Sequence, residues 1–132
     1  METFEYILRE LKKQVMVKNL PMVYFCNIGS IIREENLLKN NYYSTEIFVF
    51  LDNSFPPEEN VEVIPEGKYA CISFKGEEGF SNEIKYAEKL LNYVKDNGLA
   101  INGDYICEVI TELPLLKNKT REMYIRLQVP IK

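Results

Sequence analysis

The sequence predicts an α+β domain built by duplication, two halves related by a pseudo-twofold. Three matches in the same order predict it. Tyr24-Phe25-Cys26-Asn27-Ile28 returns 81 residues later as Tyr105-Ile106-Cys107-Glu108-Val109. Leu8-x-x-Leu11-x-x-x-Val15 returns as Ala87-x-x-Leu90-x-x-x-Val94. Glu46-Ile47-Phe48-Val49-Phe50-Leu51 returns as Glu122-Met123-Tyr124-Ile125-Arg126-Leu127. Each half then reads helix–strand–strand, and one extra strand precedes the helix of the second half. The first repeat spans about residues 1–55 and the second about 61–132 of a single domain.

The elements follow from local pattern. Phe4, Ile7, Leu8, Leu11 and Val15 make a helical stripe over residues 3–17, with Thr3 placed to cap it. Residues 20–28 read as a strand, with Pro21 at its start, where proline is tolerated. Residues 29–44 are polar and Asn-rich, a loop with room for one short helical turn. Residues 46–51 form a second strand, and the turn-rich 52–60 segment is a connector. Residues 67–76 are a strand bracketed by glycines. Ser81 is placed to cap a helix through Asn97, with Ile84, Ala87, Leu90, Leu91 and Val94 inward and Gly98 ending it. Residues 104–111 and 121–129 are the last strands, joined by a loop at 114–120.

Composition excludes several functions. Apolar residues make up 46% and charged residues 27%, an ordinary globular balance, and no apolar run reaches the length of a bilayer span. The N-terminus lacks the basic and apolar regions of a signal peptide, so the expected location is cytoplasmic, with no membrane partner. A net charge of −4 with scattered Lys and Arg argues against nucleic-acid binding by this chain alone. The absence of histidine removes Ser-His and Cys-His catalysis and the commonest metal ligand. Cys26, Cys71 and Cys107 lie in strand-like runs without metal-type spacing, so buried thiols are expected, with no metal and no cofactor.

Strand side chains alternate between faces, which sorts the candidate site residues. With Met123, Ile125, Leu127 and Val129 turned to the helices, Tyr124 and Arg126 take the other face. The same parity places Phe25, Asn27, Phe48, Phe50, Tyr69, Ile106, Glu108 and Ile110 there. That surface is aromatic and apolar with one central carboxylate, and a soluble monomer rarely leaves such a patch bare. Glu108 has two readings: it pairs with Arg126 on the same face, or it stays open to a ligand. In the second case an organic cation gains about 4 kcal/mol at about 4 Å and an effective dielectric near 20. Each aromatic face adds about 0.5–2 kcal/mol.

Four stretches together carry a family resemblance. They are Ile64-Pro65-Glu66-Gly67-Lys68-Tyr69-Ala70-Cys71-Ile72, Leu90-Leu91-Asn92-Tyr93-Val94-Lys95, Cys107-Glu108-Val109-Ile110 and Gln128-Val129-Pro130-Ile131. They resemble the GyrI-like effector-binding domain, and more closely the C-terminal drug-binding domains of MerR-family multidrug-sensing transcription activators of the BmrR and BltR type. The resemblance covers about residues 20–132 and is clearest over 64–132. It implies a duplicated strand–helix–strand–strand domain, an antiparallel sheet with two helices on one face and a ligand groove between the halves. It also implies that Glu108 meets cationic drugs, with Tyr69 and Tyr124 the nearest matches to the groove's tyrosines.

Two departures from the family pattern shape the expected partners. The leading strand of the first repeat is missing, which leaves a sheet edge open to homodimer pairing. The DNA-binding part and the dimerisation helix are absent, so contact with DNA would need a domain outside this chain. The expected function is that of a ligand sensor of a transcription regulator, binding hydrophobic or cationic small-molecule effectors, and not an enzyme. Alternatives within the resemblance are a hydrolase of small electrophiles with Glu108 as general base, which the lack of tryptophan and histidine weakens, and a protein-binding inhibitor domain.

Overall fold

A computed structural model describes residues 27–44, 46–51, 60–76, 82–111 and 123–132. The expected helix over 3–17, most of the expected strand over 20–28 with Phe25 and Cys26, Ser81, the connector over 52–59 and the 114–120 loop lie outside the described residues. In chain order the elements are β1 (Ile28–Ile32), α1 (Glu34–Leu38), β2 (Glu46–Val49), β3 (Lys68–Lys75), α2 (Glu83–Asp96), β4 (Tyr105–Thr111) and β5 (Met123–Ile131). The fold class is α+β, as expected: the described residues form one five-stranded sheet in the order β2-β1-β4-β5-β3, every pairing antiparallel, and two helices.

The apolar alternation of β5 drives the core. Ile125, Leu127 and Val129 are fully buried, and Ala70 and Phe74 of β3 join them beneath Leu90 and Val94 of α2. Each of the larger side chains contributes about 1.5–3 kcal/mol on leaving water. Phe74 stacks on Tyr86 with centroids 4.0 Å apart. The helix stops at Gly98, whose φ of +64° suits a residue without Cβ. Its N–H bonds the Lys95 carbonyl while the Leu99 N–H bonds the Val94 carbonyl, so two of the last carbonyls of the helix are satisfied.

Three expectations change. Ile84, expected inward, is 72% exposed, and Tyr86 takes the inward place. At about 100° per residue, position 84 lies about 100° from the line midway between Leu90 and Val94, on the flank of the helix in its first turn. The first described strand begins at Ile28, the end of the expected 20–28 strand, and runs through Gly29 to Ile32, into the stretch expected to be a loop. The short helical turn expected there is α1. At the other end, β5 runs on through Pro130 to Ile131. Proline fits because its carbonyl accepts from Asn102 on the far side from β3, so the β3 ladder needs no donor at that position.

The duplication is visible in the pairing. Ile28 pairs with Val109, and these are equivalent positions of the repeat, so a local twofold passes through the β1–β4 pair. Under it β1 answers to β4 and β2 to β5. The leading strand β3 has no counterpart among the described strands, so β2 and β3 form the two edges of the described sheet.

Arg33, between β1 and α1, ties four parts of the chain. Its guanidinium meets Glu46 at 2.7 Å, Glu62 at 2.8 Å and Asp104 at 3.1 Å. The second Asp104 oxygen accepts the Glu34 N–H at 2.8 Å, satisfying a first-turn donor that α1 cannot satisfy itself. Arg33 holds the carboxyls of Glu46 and Glu62 below the usual carboxylate range through these hydrogen bonds, and its own pKa is raised in return.

Candidate functional site

The sheet face away from α2 carries a row of directly opposed residues, one from each strand. The register runs Phe48, Gly29, Glu108, Arg126, Ser73. The next row holds Glu46, Ile31, Ile106, Gln128 and Cys71, and a third pairs Ile110 with Tyr124 and Tyr124 with Lys75. Phe48, Ile106, Glu108, Ile110, Tyr124 and Arg126 therefore share one face, as the alternation predicts.

Glu108 occupies the middle of the first row, its side chain 12% exposed. It is not free. The Asn27 amide Nδ2 donates to Oε1 at 3.0 Å. Arg126 Nη1 lies 3.6 Å from Oε2, an ion pair beyond ordinary hydrogen-bond length. Of the two readings of Glu108, the structure shows the pairing with Arg126. A carboxylate in an apolar strand needs compensation, and a cross-strand guanidinium with an amide donor supplies it. Arg126 is 48% exposed, so the attraction is screened and worth about 0–1 kcal/mol.

The aromatic wall is set by a glycine that the alternation argument passed over. A Cβ built on Gly29 would stand 2.6 Å from Phe48 Cζ and 2.9 Å from Phe50 Cε2. The two rings meet edge to face at 4.9 Å and lie over β1 beside Glu108 because position 29 has no side chain. A glycine beside Ile28 and ahead of Ile31-Ile32 was the available signal, since glycine in a strand marks close approach of another group.

The expected set is not gathered whole. Asn27, Phe48 and Phe50 are half-buried around Glu108, Ile106 is buried, and Ile110 is half-buried. Tyr124 is exposed, one row away from Arg126. Tyr69 stands apart. It pairs with Pro130 near the start of β3, and its hydroxyl donates to the Pro65 carbonyl at 2.5 Å. Phe25 lies outside the described residues. Cys107 is buried as expected, but Cys71 is exposed, because it faces away from the helix on an edge strand.

The helix-facing side has polar groups of its own. A cavity of about 220 Å³ is lined by Ser30, Ser44, Glu83 and Cys107 among apolar neighbours. Burial pushes the Glu83 carboxyl up, and pushes the Cys107 thiol and the Tyr105 phenol well above their usual ranges. The thiol is neutral and unsuited to nucleophilic attack. The Tyr105 hydroxyl is buried, with no hydrogen-bond partner among the described residues.

The profile of the GyrI-like small molecule binding domain matches residues 2–132. This chain belongs to the GyrI-like family. Its α+β sheet and the carboxylate at the centre of the twofold sit within that match. The GyrI-like chain has no match among curated proteins. Among its described residues no helix is long and apolar enough to cross a membrane.

Proposed function

We propose that this GyrI-like domain is the effector-binding part of a transcription regulator, of the MerR multidrug-sensing type, and that it binds lipophilic small molecules with a cationic group over the Glu108 face. The reading rests on one observation: a mostly buried carboxylate at the centre of the duplicated sheet, beside the Phe48–Phe50 pair, whose counter-ion is a half-exposed arginine. Exchanging Arg126 for a ligand cation costs little, because a screened cross-strand pair is weak. The ring faces then add cation–π attraction of about 0.5–2 kcal/mol each, and apolar burial adds about 25 cal/mol per Å². Asn27 keeps Oε1 occupied, so the guest meets Oε2.

The activity is binding and not turnover. Regulation follows if the effector has different affinities for two states of the larger regulator, since binding shifts an equilibrium only by that difference. Calorimetry with tetraphenylphosphonium and a rhodamine dye tests the reading. Binding should weaken about tenfold in Glu108→Gln, the loss of one charge-assisted contact. Binding that is equal in the variant removes the carboxylate from the site.

A further inference from the structure

A second cleft lies between α2 and the outer edge of β3, away from Glu108. Its volume is about 390 Å³, within the size range of small-molecule sites. The apolar lining comes from Ile72, Leu90, Leu99 and Ile131. Among the described lining residues Lys89 is the one that carries charge at neutral pH: burial raises the Tyr69 phenol and the Cys71 thiol, so both stay protonated.

The backbone adds directed donors. The Pro130 carbonyl turns toward Asn102, away from β3, so the Tyr69–Pro130 pair exchanges no ladder bonds. Antiparallel alternation then aims the N–H and C=O groups of Tyr69, Cys71, Ser73 and Lys75 outward. The Lys75 carbonyl agrees, since it accepts from Asn82 Nδ2 at 3.0 Å on that side. Among the described residues no backbone group pairs with the outward N–H groups of Tyr69 and Cys71, both of which line the cleft.

From these features we infer that the cleft is a second binding site, for an amphiphilic organic anion, an aryl or alkyl carboxylate. The apolar tail lies on Ile72, Leu90, Leu99 and Ile131. The carboxylate meets the Lys89 ammonium and the outward N–H of Tyr69 or Cys71. A cation finds no carboxylate among the described lining residues and is repelled by Lys89. This site is independent of the Glu108 face and asks for the opposite charge.

The test is a titration of the ¹⁵N-labelled chain with 4-phenylbutyrate and, separately, 4-phenylbutylammonium, followed by amide chemical shifts. Phenylbutyrate should move the amides of Tyr69, Cys71, Lys89 and Tyr93, and leave those of Gly29 and Glu108 in place. Lys89→Gln, at an exposed helix position, should weaken that binding about fivefold, the scale of a partly screened pair. Phenylbutylammonium should leave the cleft amides unmoved. Equal binding of the two probes in the cleft, undiminished binding in Lys89→Gln, or shifts confined to the Glu108 face would each overturn the inference. Failure of cations to bind at Glu108 leaves it standing, because Glu108, Arg126, Asn27, Phe48 and Phe50 do not line the cleft.

Discussion

Asn27 donates its amide to Glu108 at 3.0 Å, and the two residues are the same position of the duplicated motif, 81 residues apart. The twofold through the Ile28–Val109 pair places them on a diagonal across β1 and β4, within reach of a long polar side chain. Duplication thus supplied a carboxylate in one copy and its hydrogen-bond donor in the other. Replacing Asn27 by Leu removes the donor and keeps the branched outline of the side chain. The expected result is a destabilisation of about 1–3 kcal/mol by chemical denaturation, the scale for a buried polar group left short of a partner. In Asn27→Leu/Glu108→Gln much of that cost should return, and a double-mutant cycle showing additivity would deny the coupling.

Gly29 sets the position of the two phenylalanine rings. Gly29→Ala forces Phe48 Cζ to retreat from a 2.6 Å approach. Overpacking of this kind costs about 1–3 kcal/mol. Ring resonances of Phe48 and Phe50 should shift in NMR spectra, and Phe48→Leu in the same chain should recover stability. Unchanged ring shifts in Gly29→Ala would show that the space is open.

Acid should loosen the Arg33 junction. Glu46 and Glu62 have folded pKa values below their unfolded ones, so their contribution is present above the unfolded carboxylate range and is lost as pH falls through the lowered values. Both carboxylates are substantially exposed, so the effect is modest. Thermal melts of Arg33→Gln should show a lower Tm at pH 7 and a shallower decline between neutral and acid pH than the parent chain. Parallel declines in the two proteins would count against the junction.

Glu83 predicts the opposite slope. Its folded pKa is raised by burial, so ionising it opposes folding, and stability falls as pH rises from the unfolded value through the raised one. Glu83→Gln should raise the Tm at pH 7 by a few degrees and flatten that part of the pH profile, read by the same melts. A lower Tm at every pH would mean that the carboxylate holds the fold.

Alkylation under native conditions should separate the thiols. Cys71 is exposed and Cys107 buried, with a pKa pushed up by burial. Mass mapping after brief iodoacetamide treatment should find Cys71 modified and Cys107 protected until denaturant is added. Equal modification of the two would contradict the packing of β4 beneath α2.

Local pattern made much of this protein legible. The period of two in β3, β4 and β5 set which residues share a face, and the register bears it out from Phe48 across to Arg126. The helical period and Gly98 located α2 and its end. The repeated motif announced the twofold before any pairing was known. These signals are short-range: they depend on what a residue does beside its neighbours in the chain.

The tertiary structure decided the rest. Whether Glu108 is open or paired depends on Arg126 and Asn27, which arrive from strands on either side of it. Gly29 reads as the start of a loop until Phe48 of β2 and Phe50 just beyond it fill the space above it. Tyr69 shares the alternation of the Glu108 face, yet sheet register carries it to Pro130 and the cleft beside α2. Alternation fixes which way a side chain points; only the long-range pairing of strands fixes what stands opposite, and a charge in an apolar sheet is defined by what stands opposite.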